Sequence, residues 1–515
     1  MNKVENILKK LLIWSGQDFV HYSLANLLQE DSDFELFGLI DDAEIGIKNF
    51  YQNQNLVKFS KLWNYYDFVK NDIDVDEDYL KNFEQKWGIN LWDIIYTERF
   101  FYSDFNPFHN FSKVEILSII QHECKLFEQI LEEIKPDYFL TNMVTRHPKL
   151  LLHLMCEKLG IPSLMLETAR FGNRLTISKT IAKIDNPELY TQIKNPIIKS
   201  HEDLEKYLET YKRGTGSLFG TQFTIPKTKK LFAMGKFLIN SMNEHNQKIY
   251  LNKGKTKFSI IKKSSKFFRE RRRKTNENFL DTHCIKKIDD SEDFVYFPLH
   301  SEPEREILIQ SRFNFNQIVV ATNIAKSLPM GMMLYVKEHP VMRDEGWRNI
   351  EYYEQFLKLP NVKLIHPLIS SHDLIKKCKI AMTISGDVGL EAALYKKPSI
   401  VFSDVDYVVI PSVFRIDHFE NLSKTIHSAL NCSVDLKALY DYVSYVHENS
   451  FEFKEWEYLI DFQNTFHYLG FNQEQFIENS EMKKFLERHK SKFEPMLNEH
   501  LKKFKNYDDK DVVLK

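Results

Sequence analysis

Short apolar runs alternate along the chain with stretches whose apolar positions recur every three to four residues. "LLIW" (11–14) reads as a buried strand, "QDFVHYSLANLLQE" (17–30) as a helix, and "FELFGLI" (34–40) as a strand again. Further on, "DYFLT" (137–141) predicts a strand, "KLLLHLMCEKLG" (149–160) a helix stopped by Gly160, and "PSLMLE" (162–167) the next strand. Strand, helix and strand in repetition predict parallel βαβ units. From about residue 193 to 291 the pattern turns polar and mostly helical, with one very basic stretch. At Asp293 the alternation returns more cleanly. Strands are predicted at "FVYFPL", "MMLYV", "VKLI", "IAMTI" and "SIVFS". Helices are predicted around "QIVVATNIAKSL", "WRNIEYYEQFLKL", "SSHDLIKKC" and "VGLEAALY". The last hundred residues read as helices. The predicted division is an α/β unit over 1–190, a helical linker over 191–290, a second α/β unit over 291–425 and a helical region over 426–515.

Length agrees with this division, because 515 residues are too many for one compact core. The net charge of −2 makes any basic function local. Five cysteines without a CxxC pair argue against a structural zinc site and a disulfide framework, and point to a reducing compartment. No apolar run approaches the ~18 residues of a membrane span, so a cytoplasmic location is expected. "DIDVDED" (72–78) fails as a calcium loop. Glu77 stands where the tight-turn glycine belongs and Phe83 where the terminal glutamate belongs. No essential metal and no cofactor are expected.

In a parallel α/β sheet, ligands bind beyond the carboxyl ends of the strands. Five polar clusters stand just there in the second half. They are "LHSEPE" with His300, Glu302 and Glu304; "KEHP" with Lys337 and His339; "IHP" with His366; "SGDVGLEAA" with Ser385 and Gly386; and "SDVDY" with Asp404 and Asp406. Gly386 allows close backbone approach, and the helix after it presents unpaired N–H groups to an anion. Lys337 and His339 can add charge-assisted bonds, and Glu391 can accept from a ribose diol. The expected ligand is a nucleotide held through its phosphate. Each cluster alone also reads as an ordinary turn or helix cap.

"YFPLHSEPE", "YVKEHP", "NVKLIHP" and "TISGDVGLEAALYKKPSIVF" resemble the capsular polysaccharide biosynthesis family, which includes bacterial Kdo transferases of GT-B architecture. The resemblance spans about residues 293–403. Glu302 replaces the glutamine that usually precedes the proline of the family's first motif. It implies a GT-B-like fold of two Rossmann-like domains with parallel sheets facing across a cleft, plus a helical linker and a helical C-terminal tail. It also implies phosphate contacts at His339, Ser385 and Gly386, a ribose contact at Glu391, and a nucleotide-sugar donor such as a CMP-linked acid. "LETARFGNRLTISKT" (166–180) resembles a strand-end segment of the acceptor domain, which would turn Glu167, Arg170 and Arg174 to the cleft. Glu167 is then a candidate catalytic carboxylate or a salt-bridge partner of Arg170 or Arg174. Asp18, near Gly16, is a second candidate base, and Asp404 a candidate contact to sugar hydroxyls. "TRHP" (145–148) reads as a helix cap.

The stretch 253–274 carries eleven basic residues against one acid, with Ile260, Ile261, Ser264, Phe267 and Phe268 on one helical face. It reads either as a membrane-surface helix, with Lys262, Lys263, Arg271, Arg272 and Arg273 facing anionic lipid, or as a solvated helix packed on the core. Nothing else in the chain supports nucleic-acid binding. The reading that joins these parts is a metal-independent glycosyltransferase, cytoplasmic or peripheral on the inner membrane face. It would move a sugar from a nucleotide donor to a surface glycan or lipid-linked acceptor. Competing readings are a nucleotide-sugar epimerase or glycerophosphate transferase on the same scaffold, and a non-catalytic scaffold of a polysaccharide assembly complex.

Overall fold

The computed structural model describes residues 8–16, 18–30, 33–42, 45–69, 74–101, 109–210, 266–343, 346–466 and 477–513. Two sheets organise them. The first contains β1 (Lys9–Ser15), β2 (Phe34–Ile40), β3 (Phe59–Asn64), β4 (Tyr138–Thr141), β5 (Ser163–Thr168), β6 (Arg174–Ser178) and β13 (Phe451–Glu452), in the order β13-β6-β5-β4-β1-β2-β3. The second contains β7 (Phe294–Pro298), β8 (Met333–Lys337), β9 (Val362–Ile365), β10 (Ile380–Thr383), β11 (Ser399–Val401) and β12 (Val413–Arg415), in the order β12-β11-β10-β7-β8-β9. Every pairing in the second sheet is parallel. All strand ends singled out in the sequence therefore lie on one edge.

The first sheet departs from the all-parallel expectation at one side. β5 and β6 pair antiparallel, Met165 opposite Ser178 and Thr168 opposite Leu175. β13 extends that edge, also antiparallel. The stretch 166–180 is thus a hairpin rather than a strand end, since a short polar turn allows the chain to double back.

β1 shows why its sequence is apolar without alternation. Leu11 and Ile13 pack into one layer of the core, Leu12 and Trp14 into the layer on the opposite face. A parallel strand covered on both sides reads as a continuous apolar run. One of those covering layers comes from the far end of the chain. Tyr458, Phe462 and Phe466 of the helix Glu455–Phe466, and Met482, Phe485, Phe493 and Met496 of the helix Asn479–Val513, pack with Leu11, Ile13 and Phe19. The helical tail does not stand apart: it crosses back and closes the first unit. Arg174 anchors the crossing. Its guanidinium donates to Ser450 Oγ at 2.8 Å and to the carbonyls of His447 and Ser450 at 2.8 and 2.5 Å.

Candidate functional site

At the carboxyl edge of the second sheet, His300 follows β7 and is buried. Its N–H donates to Gln317 Oε1 at 2.7 Å, and its carbonyl accepts from Gln317 Nε2 at 3.1 Å and from Arg348. Its ring Nε2 lies 3.2 Å from Thr383 Oγ1 and accepts from the Ser385 N–H at 3.5 Å. Burial, with His339 and Arg348 nearby, pushes His300 down to about 4, so it accepts as a neutral imidazole near pH 7. The turn after β10 fits tightly against this ring. A Cβ on Gly386 would lie 3.0 Å from Thr383 Oγ1 and 3.1 Å from His300 Cε1. Close approach is therefore the reason for glycine at 386. The Gly386 carbonyl accepts from Tyr407 Oη at 2.6 Å.

"KEHP" after β8 divides its labour. Glu338 is buried and structural: it accepts from Tyr353 Oη at 2.8 Å and from the His339 N–H at 2.6 Å, with Arg348 Nε 3.6 Å away. Lys337 is buried and donates to Ser371 Oγ at 2.8 Å, and burial draws it down to about 8. His339 is half-buried. Its Nδ1 accepts from the Val341 N–H at 3.3 Å, and its Nε2 meets no protein partner among the described residues. Lys337, Arg348 and His300 all lie close to His339: Lys337 and Arg348 add to burial in lowering His339, and His339 adds to burial in lowering His300. The structure thus brings three of the predicted residues, with Gly386, to one place, and adds Arg348 to them.

The other predicted donor residues are less free than the sequence suggested. Ser385 is only 1% exposed and its hydroxyl donates inward to the Glu306 carbonyl at 2.9 Å. Its side chain ties residue 306, just past the "SEPE" loop, to the Gly386 turn, which takes the hydroxyl away from the phosphate contact expected at Ser385. His366 accepts from the Leu368 N–H and lies 3.4 Å from Asp281 of the helix Lys266–His283. Glu304 is half-buried, and burial pushes its carboxyl up. Glu391 is half-buried one turn into the helix Val388–Leu394, where it adds to burial in raising the Tyr296 and Tyr407 hydroxyls.

The carboxyl edges of the two sheets face each other, joined by ion pairs. Glu167, 2% exposed, accepts from Arg305 Nη2 at 2.7 and 2.6 Å. Its partner is neither Arg170 nor Arg174, because the second unit supplies a nearer guanidinium. Arg170, at φ 61°, reaches across to Asp387 at 2.6 Å and Asp406 at 2.7 Å. Asp404 is held between Lys183 and Arg415, the latter at 3.0 Å, so both of its oxygens are engaged. Arg174 does not face the cleft. It serves the chain crossing, because β6 turns back beside residues 447–450.

Asp18 lies on the facing edge, past β1. It accepts from the Val20 N–H and from Asn142 Nδ2, each at 3.0 Å, and Lys149 donates to the same Asn142. Burial raises the Asp18 carboxyl against the pull of Lys149. Glu455 stands nearby at the start of the returning helix, pushed up to about 7 by burial and by Asp18. "TRHP" is more than a cap. His147 is fully buried between two glutamates, Nδ1 2.5 Å from Glu98 Oε2 and Nε2 2.8 Å from Glu123 Oε1. Burial disfavours its charge, but the two carboxylates outweigh it and raise His147 to about 9. Glu98, also buried, is held well below the usual carboxylate range by Arg146 and His147.

Sequence reading missed Arg305, Arg348, Asn142, Lys149 and Glu455. Arg305 and Arg348 carried a signal, an arginine beside a strand-end cluster; Glu455 carried none, since it arrives from 437 residues beyond Asp18. Within the basic stretch, Lys262 and Lys263 lie outside the described residues. Arg271 and Arg272 are exposed and Arg273 half-exposed on the helix Lys266–His283. That helix docks on the second unit through Asn276, which donates to the Gly346 and Arg348 carbonyls at 3.0 Å. Among the described residues no helix is long and apolar enough to cross a membrane.

Comparison with known proteins adds one family. The model described as capsule polysaccharide biosynthesis protein matches residues 230–409, which include β7 to β11 and the whole cluster around His300, His339 and Gly386. No curated protein matches the chain. Among solved structures, the β-Kdo 2,7 transferase KpsC of Thermosulfurimonas dismutans is 12% identical with a TM-score of 0.29, covering 73% of this chain and 97% of that one. The S. aureus MnaA–UDP co-structure is 13% identical with a TM-score of 0.23, covering 85% and 91%. The E. coli ADP-heptose heptosyltransferase II is 9% identical with a TM-score of 0.24, covering 82% and 99%. Superpositions this loose carry no weight beside the motif match. That match, over residues 230–409, covers about a third of the chain, and over it the chain resembles capsule polysaccharide biosynthesis proteins.

Proposed function

We propose that the protein is a glycosyltransferase of the GT-B kind that uses a nucleotide-activated sugar, such as a CMP-linked acid. The observation that carries this reading is the convergence of His300, Lys337, His339 and the Gly386 turn at the carboxyl edge of the second sheet, inside the segment that matches the capsule family. A donor phosphate there would meet His339 Nε2, the charge of Lys337 and the N–H groups of residues 387 and 388; the Gly386 N–H is given to Thr383 Oγ1 at 3.1 Å. Those groups stabilise the negative charge that builds on the departing nucleotide. Glu391 and His366 would hold ribose and base.

The acceptor is a surface glycan or lipid-linked sugar bound along the edge of the first sheet. Its hydroxyl attacks the anomeric carbon, the bond to the nucleotide phosphate breaks, and a carboxylate takes the hydroxyl proton. Asp18 suits that task better than Glu167. The Glu167 carboxylate is tied to the Arg305 guanidinium through both oxygens, whereas Asp18 accepts only from neutral donors, the Val20 N–H and Asn142 Nδ2, and burial raises its carboxyl. Neither a metal nor a further cofactor enters this scheme. Activity should survive EDTA. A radiolabelled donor incubated with and without acceptor tests the proposal: label should pass to the acceptor, and an isomerised donor formed without acceptor would refute it in favour of epimerase chemistry.

A further inference from the structure

Two carboxyls meet at the edge of the first sheet with unequal support. Asp18 follows β1 and takes a neutral donor on each oxygen, the Val20 N–H on Oδ1 and Asn142 Nδ2 on Oδ2, both at 3.0 Å. Lys149 is buried and donates to Asn142 Oδ1, which turns the amide nitrogen towards Asp18 and sets a positive charge near it. Donors and a cation of this kind favour the ionised form. Burial and Asp41 oppose them. Asp41 itself accepts from Trp14 Nε1 at 3.3 Å.

Glu455 arrives from the far end of the chain. β13 pairs with β6, the Phe453 N–H donates to the Asn173 carbonyl at 2.8 Å, and the helix Glu455–Phe466 follows at once. About one turn on, Tyr458 Oη lies 3.0 Å from Ser23 Oγ; about two turns on, Phe462 stacks on Phe19 at 4.9 Å. Phe19 adjoins Asp18, so this packing seats the start of the helix beside the Asp18 turn. Glu455 is half-buried, and its carboxyl has no hydrogen-bond or ion-pair partner among the described residues. The nearby cations serve another group: Lys454 and Lys492 lie 3.3 and 4.0 Å from Glu457. The tyrosine hydroxyls around Asp18 are also engaged, Tyr51 with Ser15 at 2.6 Å and Tyr458 with Ser23.

Neighbouring carboxyls do not both ionise readily, and such a pair keeps one proton. The member without donors retains it: burial and Asp18 push Glu455 up to about 7. The edge then presents an anion and an O–H side by side, the complement of two adjacent hydroxyls on a sugar. We propose that Glu455 carries the proton of this pair and donates it, as a hydrogen bond, to an acceptor hydroxyl next to the one that Asp18 deprotonates. The proposal rests on the glycosyltransferase reading and deepens it, by naming a residue that orients the acceptor and the adjacent-hydroxyl pattern it selects.

NMR of the full chain with carbon-13 in its carboxyl groups tests the pair without any substrate. The Glu455 signal, identified by its loss in E455Q, should titrate near pH 7 and return towards the ordinary glutamate range in D18N. Methyl β-galactopyranoside, which has adjacent hydroxyls, then probes the site. Wild type should bind it about 10-fold more weakly at pH 8.5 than at pH 6, because the O–H is lost as pH rises. E455Q should show no such loss, since its amide donates at both pH values, and E455A should bind weakly at both. Melting temperatures control for folding, and titration of Lys337 or His147 affects wild type and E455Q alike. An ordinary glutamate titration, indifference to D18N, probe binding that is absent or independent of pH in wild type, or the same alkaline loss in E455Q overturns the proposal. Were these results obtained while label from the donor reached no acceptor, the transferase reading would fall and the sugar site would stand.

Discussion

At the scale of single residues, two positions state the account most sharply. Gly386 has no room for a side chain, with Thr383 and His300 at 3.0 and 3.1 Å from where a Cβ would lie. Gly386→Ala should push the His300 ring or the turn aside and weaken nucleotide binding at least 10-fold, about 1.4 kcal/mol, as read by titration calorimetry. Thermal stability should fall by about 1–3 kcal/mol, the usual range for overpacking. His147 gives a pH signature. Its folded value of about 9 exceeds the ~6.5 of an unfolded imidazole. The stabilisation is therefore complete below pH ~6.5 and is lost as pH rises through about 9. It should amount to ~3 kcal/mol. Glu98 has the opposite sign: its depressed value contributes stability above the unfolded carboxylate range that fades on acidification. Urea denaturation of His147→Gln between pH 6 and 10 should lack the alkaline loss that wild type shows. A parallel decline in both proteins would refute the cationic imidazole.

At the scale of elements, the pattern of apolar runs located the principal strands to within a residue or two. "FELFGLI" and "VKLI" coincide with β2 and β9. Those strands announce themselves because both faces are covered, so sequence and burial agree. Three features were hidden. β6 is antiparallel, which depends on the turn at 169–173 rather than on the strand's own residues. Ser385 and Arg174 are polar in sequence yet committed inward, because their partners come from loops remote along the chain. The return of the tail to the first sheet leaves no local sign, since amphipathic helices read alike whichever core they cover. Two predictions belong here. A chain ending at residue 430 should lose the layer built from Tyr458, Phe462, Phe485 and Phe493, and yield aggregated or protease-sensitive protein. Arg170→Ala should strand the buried Asp406, at a cost of about 3–5 kcal/mol by chemical denaturation; a cost within ~0.5 kcal/mol would show the pair to be surface-like.

At the scale of the whole molecule, two α/β units meet through buried ion pairs at the very edges where their strands end. Such contacts hold the units in one relative placement, with Asp18 past β1 of the first sheet and His339 past β8 of the second. The basic helix lies on the second unit. If it also meets anionic lipid, flotation with phosphatidylserine vesicles should carry the wild type, and charge reversal at Arg271–Arg273 should release it. Central to everything is the phosphate grip at the second edge. Calorimetry of CMP and UDP against wild type and His339→Ala tests it most directly. The account predicts that at least one nucleotide binds wild type and binds the variant 10-fold or more weakly; failure of both to bind, or equal binding by the two proteins, would contradict it.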